Sequence, residues 1–385
     1  MIDERPDVDA AALEAAIERE LDVDVASIDV LADGLNLLLS VSTRPADDAD
    51  DDVTDDAADA ADAVDDAYVV RAPRKLRNAS YMNDVRTEYA VMEALADAPV
   101  PTPEPVLFCA DASVLDEPFF AMTRLDGDVV PLGSDLPERW RTPAARERFG
   151  AVLVDALADV HAVDVDAFEG TLEPVTPAEQ VERSRARLDA ATNATELDVP
   201  ALDRVRGWLR EHAPPADDVD RTLVHGDFRP GNVLFADDDE PAVAGVLDWE
   251  TALLGDPLTE LGYLLLRWRD AGDPTPSLDD VVARYGEYED AIEHLRRVND
   301  RGFAPYTSDP GSPSRRDLVE RYEAASGRNV ADLRFYVALA AFNLATVWAD
   351  LHRHAVLADA PSDHPPHVEH LAAVAELVVD GDLEI

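Results

Sequence analysis

The chain has 385 residues, room for two or three domains or one two-lobed unit with a substantial core. Its formal net charge of −49 disfavours nucleic acid and anionic membranes as partners, and no run reaches the about 20 apolar residues of a spanning helix. Acidic residues are spread along the whole length and Lys75 is the only lysine. That pattern fits a high-salt cytoplasm, where the Debye length falls to about 3 Å and surface carboxylates barely repel. An acidic interaction protein is the alternative.

The acidic N-terminus lacks a signal-peptide core, so a soluble cytoplasmic protein is expected. Residues 9–21 predict an amphipathic helix, with Leu13, Ala16, Ile17 and Leu21 on one face. Residues 27–31 and 37–42 predict strands around a turn containing Gly34 and Asn36. Residues 45–67 form an insert in which eleven of twenty-three residues are Asp. With few large apolar groups, it reads as a solvated loop or an Ala-rich acidic helix. A strand follows at 68–72, ended by Pro73, and then a helix at 82–97 containing Glu88.

Four prolines between 99 and 105 lead into a strand at 106–108. Cys109 closes it as the lone cysteine, so no intramolecular disulfide can form and a packed structural thiol is expected. A strand at 119–125 contains Met122, and a domain boundary is placed near Asp126. The two parts are 1–126 and 127–385. The second part predicts helices at 146–163, 176–190, 200–212, 257–270, 278–299, 330–355 and 367–379. Residues 305–313 read as a mobile loop. Five histidines between 352 and 370 lack the spacing and acidic partners of a zinc site, and packing or surface roles are expected.

The string Leu223-Val224-His225-Gly226-Asp227-Phe228-Arg229-Pro230-Gly231-Asn232-Val233-Leu234-Phe235 carries the chemistry, with Val246-Leu247-Asp248-Trp249-Glu250 about fifteen residues on. Asp227 can orient a hydroxyl and accept its proton, while Asn232 and Asp248 can hold Mg²⁺ against nucleotide phosphates. Taken singly, Asp227 and Asn232 are also ordinary turn residues. Glu250, two residues beyond Asp248, would face the same side of an extended chain and help position metal or water. His225 reads as a hydrogen-bonding support.

The order HGD, N, DWE, followed by Gly255-Asp256-Pro257-Leu258-Thr259-Glu260-Leu261, resembles the aminoglycoside phosphotransferase-like family. Glu260 stands where that family usually has Asp. The resemblance implies a two-lobed α+β protein-kinase-like fold, with a small antiparallel-sheet N-lobe and a mostly helical C-lobe. It implies ATP or GTP as phosphoryl donor with Mg²⁺, and a small-molecule hydroxyl as acceptor. It also implies that Gly34 and Asn36 cover the phosphates, that the Met122 strand meets the adenine, and that Asp256 braces the site. His161 would pack under the catalytic loop.

The string 68–73 looks closer to the branch found beside acyl-CoA dehydrogenase domains than to antibiotic-resistance enzymes, so the label does not establish an aminoglycoside substrate. Kinase folds usually carry Lys on this strand. Lys75 lies beyond Pro73, so Arg71, paired with Glu88, is expected to face the nucleotide phosphates. A nucleotide-binding regulator with weak or no catalysis is the alternative, kept open by that arginine.

Overall fold

The computed structural model of the chain describes residues 9–44, 65–74, 81–216 and 219–385. They fall into two compact units. The first runs up to Asp126 and adds Trp249–Thr251, and the second comprises Gly127–Asp248 and Ala252–Ile385.

In the first unit, α1 (Ala10–Leu21) is capped by the Asp9 carboxylate on Ala12 N and buries Leu13, Ala16 and Ile17. Then come β1 (Asp24–Asp33), β2 (Asn36–Arg44), β3 (Asp65–Pro73), α2 (Val85–Ala94), β4 (Pro105–Cys109) and β5 (Phe119–Thr123). All five strands form one antiparallel sheet in the order β1-β2-β3-β5-β4. Alternation along β3 sends Val70 and Ala72 into the apolar cluster with Leu13 and Ile17. Arg71 therefore points to the opposite face, toward α2. There Tyr89 packs edge-on against Phe108 and Phe120.

Two expectations are corrected here. β3 starts at Asp65, because the backbone ladder continues past the apolar run and pairs Asp65 with Thr43 and Asp66 with Ser42. The remainder of the acidic insert, 45–64, lies outside the described residues, as does Lys75. The helix expected at 82–97 is shorter at both ends: Asp84 caps it through Thr87 N and Leu95 closes it. Cys109 is only half-buried, at the end of an edge strand, although it packs against the apolar cluster as expected of a structural thiol.

The second unit opens with α3 (Pro143–His161), β6 (Pro174–Val175), α4 (Pro177–Ala194) and α5 (Pro200–His212). Next come β7 (Thr222–Val224), β8 (Val233–Phe235), β9 (Val243–Val246), β10 (Leu253–Gly255) and α6 (Pro257–Arg267). The chain ends with α7 (Asp279–Tyr285), α8 (Glu289–Arg301), α9 (Arg315–Ser326), α10 (Leu333–Leu357) and α11 (Pro365–Asp380). The short strands pair as β6-β10-β7 and β8-β9. α10 is buried on every side from Phe335 to Phe342 and packs among α4, α6 and α11.

The single helix expected at 278–299 is two helices, because Gly286 ends α7 before Glu289 starts α8. The expected loop at 305–313 contains a 3₁₀ turn, Pro305–Ser308, with Pro305, Tyr306 and Thr307 buried. Periodicity does not reveal α9, which buries only Arg315, Leu318 and Tyr322, although Ser314 and Asp317 form a capping box at its start. No helix of the described residues is long and apolar enough to cross a membrane.

Close packing of α6 on α10 depends on Gly262, where an added Cβ would lie 2.7 Å from the Tyr336 carbonyl carbon. Gly262→Ala is expected to destabilise the protein by about 1–3 kcal/mol through overpacking. Thermal unfolding checks this, and an unchanged midpoint would show that the helices are not so closely apposed.

Candidate active site

The loop between β7 and β8 hangs on a buried carboxylate. Glu260, on the first turn of α6 and 2% exposed, accepts hydrogen bonds from His225 N at 3.0 Å and Gly226 N at 2.6 Å. His161 Nε2 lies 3.1 Å away, and its Nδ1 is 2.7 Å from the Tyr322 hydroxyl. Burial alone would raise the Glu260 carboxyl, but His161 and the loop donors outweigh it and hold it below its ordinary value. Gly226 turns through φ 87°, a conformation that glycine adopts without a Cβ clash. The His225 ring receives Asp227 N on Nδ1 at 3.2 Å, so Nε2 carries the proton donated to Leu247 O at 2.8 Å. His225 thus ties the loop to the strand leading to Asp248.

Asp227 sits half-buried among donors. Its Oδ2 accepts from Arg229 Nε at 3.1 Å and Asn232 Nδ2 at 2.8 Å, and its Oδ1 from the Tyr263 hydroxyl. Arg267 Nη2 donates in turn to that hydroxyl at 2.6 Å. Burial would raise the Asp227 carboxyl, yet Arg229, Arg267 and the Tyr263 hydroxyl together hold it below its usual value. It is therefore an ionised, oriented acceptor at neutral pH.

The β8-β9 hairpin fixes the other two oxygen donors. Val233 pairs with Val246, and Leu247 N donates to Asn232 O at 2.8 Å, which brings Asn232 and the Asp248 end of β9 to the same end of the ladder. Because the Asn232 amide nitrogen is committed to Asp227, its oxygen is the atom left for a cation. Asp248 adopts φ 70°, a left-handed conformation costing roughly 1–2 kcal/mol for a residue with a Cβ. Among the described residues no group of three or more His, Cys, Asp or Glu could hold a metal, so any cation here relies on mixed amide and carboxylate oxygens. The C-terminal histidines pack instead, with His367 stacked on Trp348 and His370 bonded to Asn299.

In the first unit, Arg71 Nε donates to Glu88 Oε2 at 2.9 Å, both side chains nearly fully buried. Its Nη2 donates to Glu250 Oε2 at 2.6 Å. The expectation that Glu250 extends beside Asp248 is corrected. Trp249–Thr251 is a 3₁₀ turn rather than extended chain, and Glu250 takes Arg71 and the Asn36 amide, the latter at 2.8 Å. Asn36 therefore holds Glu250, while Gly34 lies exposed in the β1-β2 turn. Met122 is half-buried on β5 opposite Val69. Asp256 caps α6 through Leu258 N and accepts from the Tyr336 hydroxyl at 2.6 Å.

Sequence reasoning did not find Tyr263, Arg267 or the anchoring role of Glu260. Their spacing of three and four places them on one face of α6, which was the available signal.

The model of the phosphotransferase enzyme family matches residues 52–298. The chain belongs to this family. It is 35% identical over 200 residues to acyl-CoA dehydrogenase family member 11 of Gallus gallus, covering 51% of this chain and 25% of that protein. With the Homo sapiens protein of the same name it shares 25% identity over 288 residues, 73% of this chain and 33% of that one. The chain thus spans about a quarter to a third of these relatives. A solved structure from Ralstonia eutropha JMP134, named as an aminoglycoside phosphotransferase, superposes with TM-score 0.68 at 23% identity, covering 98% of this chain and 99% of that one. A spectinomycin phosphotransferase solved with ADP and spectinomycin gives TM-score 0.56 at 10% identity, covering 97% and 99%. These likenesses show the two-lobed protein-kinase-like α+β fold of the phosphotransferase family.

Proposed function

We propose that this phosphotransferase moves the γ-phosphoryl group of ATP or GTP to a hydroxyl of a small molecule. The observation that carries the reading is Asp227, ionised and fixed by Arg229, Asn232 and Tyr263 in a loop hung on Glu260. Asp227 orients the acceptor hydroxyl and takes its proton as the oxygen attacks phosphorus. Asn232 Oδ1 and the Asp248 carboxylate are oxygen donors that fit Mg²⁺, which takes few protein ligands and keeps waters or phosphates for the rest. Bound there, Mg²⁺ would neutralise charge on the phosphate oxygens. Arg71, steadied by Glu88 and Glu250, serves as the phosphate-directed cation in place of lysine.

Arg71→Ala is expected to weaken nucleotide binding by about tenfold or more, the scale of a lost charged hydrogen bond, with Lys75→Ala nearly silent. Titration with ADP and GDP decides it, and the reverse order would reassign the cation.

The function itself is tested with purified protein in molar KCl against a panel of hydroxyl compounds, reading ADP and GDP release. The panel includes spectinomycin, aminoglycosides and hydroxyl-bearing acyl-CoA compounds, since the relatives' names point to each. Nucleotide binding with no release above background for any acceptor would replace this reading with a non-catalytic regulator.

A further inference from the structure

Beside the Asp227 loop, within the second unit, lies a cleft open to solvent, with apolar walls from Leu132, Leu264, Trp268, Phe303 and Tyr306. Arg229 and Arg267 also line it, and among the described residues no aspartate or glutamate does. That composition runs against the chain, which has 82 acidic residues.

Arg267 stands out among the buried cations. Only 6% exposed, it forms no ion pair among the described residues. Its guanidinium lies 3.7 Å from the centre of the Tyr263 ring, and Nη1 and Nη2 each give one hydrogen bond, to the Tyr263 carbonyl and hydroxyl, out of the two donors each carries. Its Nε is buried with no hydrogen-bond partner among the described residues. Arg315, equally buried, shows the ordinary solution, closed off by Asp270 and Asp273. The Arg267 charge reaches the Asp227 carboxylate only across the Tyr263 hydroxyl, and a desolvated guanidinium with no carboxylate in direct contact is costly, so an anion delivered to the cleft would offset that cost.

We propose that this cleft receives the phosphoryl acceptor, and that the acceptor is an apolar hydroxyl compound with an anionic head group paired to Arg267. The proposal rests on the phosphotransferase reading. Arg267 connects to Asp227 through one tyrosine hydroxyl, so head group and reacting hydroxyl are joined by a short apolar spacer. A polycationic acceptor meets two arginines here and is rejected.

Calorimetric binding to the full chain in molar KCl, without nucleotide, tests this separately from turnover. The probes are short and medium hydroxyalkanoate carboxylates, their primary amides, the matching diol phosphate monoesters, and kanamycin. The anions should bind about tenfold or more tighter than the amides, as a buried charged hydrogen bond implies. The ratio of carboxylate to phosphate identifies the head group. In Arg267→Gln the preference should collapse toward one with ADP binding retained. If that variant does not fold, the wild-type acid-to-amide ratio still decides. Equal binding of acid and amide, no binding of any anion, or tighter binding of kanamycin would overturn the proposal. Acid selectivity without phosphoryl transfer to any acceptor would overturn the acceptor role together with the catalytic reading and leave only an anion site at Arg267.

Discussion

Asp227→Asn is expected to lower phosphoryl transfer by about 10²-fold or more while Mg-nucleotide binding is retained. The substitution changes charge and basicity but little else. Two donors, Arg229 and Asn232, converge on Oδ2, so the new amide oxygen would settle on that side. The amide nitrogen would then face the Tyr263 hydroxyl, which can rotate to accept. Fold and loop should persist, leaving only the base removed. The pH profile supplies a second check. The folded carboxyl is held below its ordinary value of 3.8, so the active carboxylate is fully present above that value and lost as pH falls through the depressed one. Tyr263→Phe deletes one donor and should move the acid limb upward. Near-normal turnover by Asp227→Asn on the true acceptor would remove this residue from the base role.

Glu260→Ala should be the most damaging single change to stability, on the order of 3–5 kcal/mol. It leaves His225 N, Gly226 N and His161 without their shared acceptor in a buried setting. Glu260→Gln should cost less, since one oxygen remains, but its amide hydrogens oppose the loop donors. The sign with pH follows from the depressed carboxyl. Stabilisation is full above the ordinary glutamate value of 4.5 and is lost as pH falls through the lower folded value. Denaturant unfolding at several pH values measures this. A Glu260→Ala protein as stable as wild type would mean the loop is held by something other than this carboxylate.

The motif residues were legible because their chemistry is local. Asp227 lies in the loop that leads into the β8-β9 hairpin, and Asn232 and Asp248 flank its strands, all written in one contiguous stretch. Pairing of Arg71 with Glu88 was legible for a different reason, since strand alternation and the break at Pro73 single out one basic residue. Glu250 was misplaced because reading it required the 3₁₀ turn at Trp249–Thr251, which no periodicity announces. Tyr263 and Arg267 were hidden by the apolar residues around them on α6, where a core reading accounts for the whole helix. Helix α9 escaped because two apolar contacts leave too faint a stripe.

The grouping of Trp249–Thr251 with the first unit bears on how this polypeptide emerges from the ribosome. The sheet has all its strands once Asp126 has been made, yet the partner of Arg71 at position 250 is still about 125 residues away. At synthesis rates of about 5–20 residues per second that is a delay on the order of ten seconds. During it the nascent sheet carries Glu88 as its one acidic partner for Arg71 from this pair, and the tryptophan that donates to Thr102 has not been translated. A fragment ending at 126 lacks both contacts.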